Sequence, residues 1–159
     1  MKKIILFISL FPYFLFMFFT SCDSKRVFEE NIAISDAVWD IDEKITFEIE
    51  VKDTITSHNF YINVRNTGAY PYSNIFIFIN STFPDGGKAR DTVECTLADA
   101  SGRWLGDGSG DIFDNQILFK KGVRFPHSGK YIFEYEQAMR MEHLPFIMDV
   151  GMRIEKEIR

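Results

Sequence analysis

The side chains able to bind a ligand or do chemistry gather in one stretch of this 159-residue chain, Leu97 to Pro126, which holds Trp104, five of the ten glycines and four aspartates. Within it, Asp107-Gly108-Ser109-Gly110-Asp111-Ile112-Phe113-Asp114 places oxygen ligands at alternating positions, as a calcium loop does. An EF-hand needs Gly where Ile112 stands and a bidentate Glu where Leu118 stands. Asp107, Asp111 and Asp114 are therefore at most a non-EF candidate, and a loop capped by Asx turns is the simpler expectation. His58, His127 and His143 are not spaced as a zinc pair on one element, and each falls at an expected turn, where a solvated side chain is anticipated. There is no G-x-S-x-G, no cysteine with a supporting histidine motif and no phosphate loop. Among 23 acidic residues a facing carboxylate pair is always available, so none marks glycoside chemistry. The chain reads as a non-enzyme with no catalytic residue and no cofactor.

Aromatic side chains offer a second kind of site. Tyr70, Tyr72 and Trp104, with Trp39, are of the type that stacks on sugars from a β-sandwich or anchors a protein partner. The competing expectation is that the tryptophans close the ends of the sandwich, each ring N–H finding a carbonyl.

The N-terminus carries its own chemistry. A basic start, Met1-Lys2-Lys3, leads into an apolar run from Ile4 to Phe19. That run is short of the roughly 20 residues of a membrane-spanning helix and fits a secretory signal. Phe19-Thr20-Ser21-Cys22 resembles a bacterial lipobox, in which small residues admit the signal peptidase and the cysteine thiol takes a diacylglycerol. The expected organisation is a signal peptide over 1–21, a tether over 22–26 from a lipidated, palmitate-bearing Cys22, and one domain over 27–159. Asp23 leaves the choice of membrane open.

Removing Lys2 and Lys3 with the leader leaves 16 basic against 23 acidic side chains, a formal charge of −7. That excludes nucleic acid as a partner and argues against lying flat on an anionic lipid face. Membrane attachment is left to the acyl chains, at about 0.8 kcal/mol per buried methylene. Cys95, without a thiol partner once Cys22 is acylated, reads as a small core residue.

The elements that must position these residues are strands. Apolar side chains alternate over Phe28–Ile34, Ile45–Val51, Phe60–Arg65, Asp91–Leu97, Tyr131–Met139 and Phe146–Glu155. Ile75–Ile79 is apolar throughout, as in a strand buried on both faces. Gln116–Phe119 and Val123–Phe125 read as two short strands divided by Lys120-Lys121-Gly122, and Asp36–Glu43 as an acidic turn around Trp39. Pro84-Asp85-Gly86-Gly87 and Asn66-Thr67-Gly68 punctuate the pattern as turns. Together they predict an all-β fold: an antiparallel two-sheet β-sandwich, immunoglobulin-like or jelly-roll-like, of about eight to nine strands.

Several stretches in order carry a family resemblance: Arg65-Asn66, Tyr70-Pro71-Tyr72-Ser73-Asn74, Phe83-Pro84-Asp85-Gly86, Asp91-Thr92 and Leu97-Ala98-Asp99. The series continues with Gly102-Arg103-Trp104-Leu105-Gly106, Val123-Arg124-Phe125-Pro126, Gln137-Ala138-Met139-Arg140 and Asp149 to Glu155. In these the chain resembles the gliding-motility lipoprotein GldH family of the Bacteroidetes. The resemblance implies a lipid-anchored, non-catalytic envelope protein of the gliding and associated secretion machinery, at the outer membrane facing the periplasm, with envelope proteins as partners. A carbohydrate-binding lipoprotein is the alternative. Asp99, Gly102, Arg103, Trp104 and Gly106 then form a family-motif loop, in which Trp104 is expected to be largely buried and Asp99 or Asp111 to bond the backbone.

Overall fold

The computed structural model describes residues 24–157; the leader, Cys22, Asp23 and the last two residues lie outside them. Eleven strands run through the described residues: β1 (Arg26–Ala33), β2 (Val38–Asp40), β3 (Ile45–Val51), β4 (His58–Thr67), β5 (Asn74–Thr82), β6 (Lys88–Thr96), β7 (Asp107–Ser109), β8 (Ile112–Val123), β9 (Gly129–Gln137), β10 (His143–Pro145) and β11 (Ile147–Lys156). Every pairing is antiparallel. One sheet has the order β1-β11-β4-β8-β7, the other β3-β9-β5-β6, and β10 pairs with β2 as a two-stranded clip. The all-β antiparallel sandwich expected from the sequence is what the chain forms; β2, β7 and β10, of three residues each, are the strands too short to announce themselves.

Alternation explains the core. In β3, Ile45, Phe47, Ile49 and Val51 point inward while Thr46, Glu48 and Glu50 face water. Their inner face meets Phe60, Ile62 and Val64 of β4, Ile75, Ile77 and Ile79 of β5, Tyr131, Phe133 and Tyr135 of β9 and Val150, Met152 and Ile154 of β11 in one cluster. Cys95 is buried in that cluster, and burial pushes its thiol up to about 12. Trp39 is fully buried beside the clip and donates its ring N–H to the Glu43 carbonyl at 3.1 Å.

Four local readings need correction, each for a physical reason. The acidic turn contains β2, because Val38–Asp40 finds a backbone partner in the loop before β11. The first of the two short strands runs on through Lys120-Lys121-Gly122 by bulges and ends at Val123 as β8, so Arg124 and Phe125 belong to the loop that follows; Gly122 adopts φ +66° and its N–H bonds the Asn59 side chain. In β5 only one face is fully buried: Phe76 and Phe78 turn outward and stay half-covered, with the Arg90 guanidinium 4.2 Å over the Phe78 ring. In β11 a bulge between Ile147 and Asp149 switches faces, so Ile147 is buried and Phe146 exposed, the reverse of uninterrupted alternation.

His58 needs a fifth correction. It opens β4 rather than lying in a loop, and the register that sends Phe60, Ile62 and Val64 inward sends His58 inward too, leaving it 2% exposed. Its ring sits 5.2 Å from that of Phe125, and its Nδ1 makes no hydrogen bond. Burial pushes its pKa below the ordinary 6.5, with Asp53 partly opposing. The unfolded chain therefore binds a proton that the folded chain refuses once pH drops below 6.5.

Antiparallel order sends every loop to one of two poles. One holds Ser24–Arg26, the β3–β4, β5–β6 and β8–β9 loops and Glu157; the other holds the motif loop, the clip and Trp39. Ten residues of β4 at about 3.3 Å each separate them by roughly 30 Å.

Two predictions follow from packing. A Cβ on Gly151 would come 2.7 Å from the Glu30 carbonyl and collide with the Asn31 amide lying over it, so Gly151→Ala should lower the unfolding free energy in urea by about 1–3 kcal/mol. Stability of the wild-type domain should fall as pH is lowered from above 6.5, and His58→Gln should flatten that slope in a pH series of denaturation curves.

Candidate interaction surface at the far pole

The motif loop is built by one carboxylate. Asp99 accepts hydrogen bonds from the Ser101 hydroxyl at 2.6 Å, the Ser101 N–H at 2.9 Å and the Arg103 N–H at 3.1 Å, and pairs with the Arg103 guanidinium at 3.2 Å. The Ser101 hydroxyl leads in holding its pKa down at about 2, followed by the Arg103 N–H. The backbone closes the same turn: Asp99 N–H bonds the Arg103 carbonyl, and Gly102 N–H bonds the Asp99 carbonyl. Gly102 sits at φ +82°, where a side chain would be strained. Of the two aspartates expected to fix the loop, Asp99 does so with its side chain, whereas Asp111 contributes its carbonyl, which accepts from Gly68 N–H.

The loop then presses back on the sheet. Ala98 and Trp104 form a bridge, and Leu105 N–H bonds the Leu97 carbonyl. At Gly106 a Cβ would lie 2.8 Å from the Asn115 side-chain oxygen and the Asp114 carbonyl, so no other residue lets the loop come so close to β8. Beneath it, the Asn115 amide donates to Asn66 Oδ1 at 2.9 Å and the Val64 carbonyl at 3.1 Å, while the Asn66 amide donates to the Thr67 carbonyl. Both asparagines are buried, and this pairing satisfies polar groups that would otherwise be costly there.

Trp104 is largely buried, as expected, though not fully: it packs against the core cluster and keeps part of its surface in solvent. Its ring stacks on Phe113 at 5.5 Å and lies 6.4 Å from Tyr70. Tyr70 is buried, its hydroxyl donates to the Asn74 carbonyl, and burial pushes its phenol up. Tyr72 meets Tyr70 edge-on at 5.7 Å and stays partly exposed, its hydroxyl against the Met141 sulfur. The three aromatics named from sequence are thus neighbours, but Tyr70 and one face of Trp104 are committed to packing. Among its exposed carboxylates the pole also offers apolar side chains to solvent: Val38, Ile41, Tyr72, Phe146 and Leu105, the last 52% exposed, are five of the eight large exposed hydrophobics of the described residues.

The three aspartates of the calcium reading do not converge. Asp107 and Asp114 face each other across β7 and β8, but Asp114 is engaged by Arg65, which also binds Asp149 at 3.0 Å. Burial pushes the Asp149 carboxyl up and Arg65 opposes it. Asp111 sits apart in the turn, and no three His, Cys, Asp or Glu side chains form a ligand group among the described residues. His127 and His143 are exposed and lie against Asp85 and Asp40 at 3.3 and 2.8 Å. Sequence reasoning missed the Asn66–Asn115 pair, although Arg65-Asn66 stood in the motif series.

Asp99→Ala should loosen this corner without unfolding the sandwich: Trp104 emission should shift to the red and become more accessible to acrylamide, over an unchanged contribution from buried Trp39. Because the folded carboxyl titrates near 2 against an ordinary 3.8, the caps hold at every pH above 3.8 and fail only as pH falls toward 2.

A family model described as GldH lipoprotein matches residues 26–154, which span β1 to β11 and include the whole motif corner. Among curated relatives, the chain is 38% identical over 159 residues to the gliding motility lipoprotein GldH homolog of Christiangramia forsetii, covering 93% of this chain and 97% of that one. It is 35% identical over 144 residues to the gliding motility lipoprotein GldH of Flavobacterium johnsoniae, covering 86% and 89%. Among solved structures, a chain from infectious bursal disease virus, Gx strain, aligns at a TM-score of 0.32 and 12% identity over 84% of this chain and 33% of that one, too slight a likeness to bear on function. With the family model and both relatives spanning most of its length, the chain belongs to the GldH lipoprotein family.

Proposed function

We propose that this protein is a lipid-anchored, non-catalytic component of the cell envelope, held by acyl chains on Cys22, and that its far pole binds envelope proteins of the gliding-motility and associated secretion machinery. The observation that carries the reading is the match along nearly the whole domain to relatives named gliding motility lipoproteins, together with a lipobox cysteine four residues before β1. The rigid corner around Trp104, rimmed by exposed Leu105, Tyr72 and Phe146, has the composition of a protein contact: aromatic and aliphatic anchors on a fixed backbone. The placement is the outer membrane, facing the periplasm. A glycan platform is less well supported, because Tyr70 and one face of Trp104 have no free ring surface to stack on.

Two replacements of the gene in a gliding host test the proposal. Cys22→Ala should abolish palmitate labelling and release the protein from membranes, with loss of spreading and secretion. Leu105→Arg should keep the protein membrane-bound and folded while impairing spreading or secretion. Wild-type behaviour of both strains would sink the machine-component reading.

A further inference from the structure

The net charge, −5 for the whole chain and −7 without the expected leader, conceals a strong separation. In the segments that make up the N-terminal pole, 24–26, 52–58, 83–88, 120–130 and 156–157, nine Lys and Arg stand against three carboxylates, with Glu155 opposite Arg26, Glu50 opposite Lys130 and Asp91 paired to Lys120 at its margin. In those of the far pole, 34–44, 68–73, 97–111 and 138–146, eight carboxylates stand against three Lys and Arg. At the basic pole Lys52, Lys88, Lys121, Arg124 and Lys156 are exposed and form no ion pair among the described residues, while Arg26, Lys120 and Lys130 are paired with Glu29, Asp91 and Glu48. Of its three carboxylates, two serve their own loops. Asp53 accepts from Ile55 and Thr56 N–H and from the Thr56 hydroxyl, and Asp85 accepts from Gly87 N–H and faces His127. The third, Glu157, lies against Gly122.

The loop that Asp53 braces has an apolar tip: Ile55, 79% exposed, is the most exposed large hydrophobic residue described. The β8–β9 loop that carries Arg124 is equally fixed, since the Tyr131 hydroxyl bonds both the N–H and the carbonyl of His127 and the Tyr131 ring packs on Phe125 at 4.9 Å. The chain enters the domain at this same pole, where Lys156 N–H bonds the Lys25 carbonyl. From Cys22 to Arg26 four residues reach at most about 14 Å. An anchor on Cys22 thus keeps these charges close to the range of a surface potential that decays over about 8 Å.

We propose that the N-terminal pole docks end-on against anionic phospholipid headgroups of the membrane that carries the anchor, with Lys52, Lys121 and Arg124 on the headgroups and Ile55 entering the interface. The proposal rests on the Cys22 anchor and adds an orientation to it: the acidic motif corner is held roughly 30 Å out from the bilayer, beyond the reach of its surface potential. An otherwise acidic protein would not lie flat on such a surface, and end-on contact removes that conflict. Each basic residue near an anionic surface shifts the docked population by about fivefold, so K52Q/K121Q/R124Q together should lower the docked-to-free ratio by about a hundredfold.

The test uses the full-length lipoprotein reconstituted into vesicles of phosphatidylcholine alone or of phosphatidylcholine with phosphatidylglycerol, each containing a lipid-borne quencher. A polarity-sensitive fluorophore is placed at Ile55→Cys or at Leu105→Cys, since Cys95 is buried and Cys22 acylated. Flotation reports the anchor and quenching reports docking. The expected result is flotation with both lipids, quenching at position 55 with phosphatidylglycerol only, none at 105, and loss of quenching in the triple variant and in high salt. Floating protein with equal quenching at 55 and 105, or equal quenching at 55 in both lipids, would overturn the docking while leaving the anchor standing. Failure to float would remove the anchor and the docking with it.

Discussion

Strand β4 hydrogen-bonds along its length to β11 on one side and to β8 on the other, so its ten residues set the register of the five-stranded sheet. Its inward positions are His58, Phe60, Ile62, Val64 and Asn66, and its outward ones include Asn63 and Arg65. Slipping it by one residue would exchange these sets, putting an arginine in the core and three large apolar side chains in water. The register is therefore held by burial at each step. Everything else depends on it: the bulges in β8 and β11 are adjustments to it, and the asparagine pair under the motif loop exists because β4 delivers Asn66 opposite Asn115.

The same pairing explains how one domain comes to have two different ends. Antiparallel neighbours return each loop to the side from which its strand set out, so the entry of the chain, the Asp53 loop and the Arg124 loop share one pole. The Asp99 turn, Trp104 and the β2–β10 clip share the other. Coulomb interaction then acts on a molecule whose charges are already sorted. Basic groups lie where the chain enters the domain, acidic groups lie beside the motif corner, and the net charge describes neither.

Legibility in the sequence followed burial. Strands with one wet face, β3, β4, β6 and β9, show alternation because water and core select opposite side chains at successive positions. The motif loop was legible as a rigid corner because Gly102 and Asp99 are local requirements of a turn. Features decided by distant partners were not. Val38–Asp40 carries no strand signal until His143–Pro145 lies beside it. The bulge at Ile147 reverses a face without altering composition. His58 and Asn66 read as turn residues, yet the register of their strand turns both inward, at the cost of one orphaned ring nitrogen and the reward of one satisfied amide pair. Ile75–Ile79 misled in the other direction, since a guanidinium can cover an aromatic face that apolarity alone would assign to a second core.

The central claim is that the two poles face different neighbours, membrane at one and protein at the other. The most direct measurement is photocrosslinking in living cells from a reactive side chain placed at position 105 and, separately, at position 55, with adducts resolved as protein or lipid. The account predicts discrete protein adducts from 105, and lipid adducts without protein ones from 55. Protein adducts from 55 with none from 105 would contradict it.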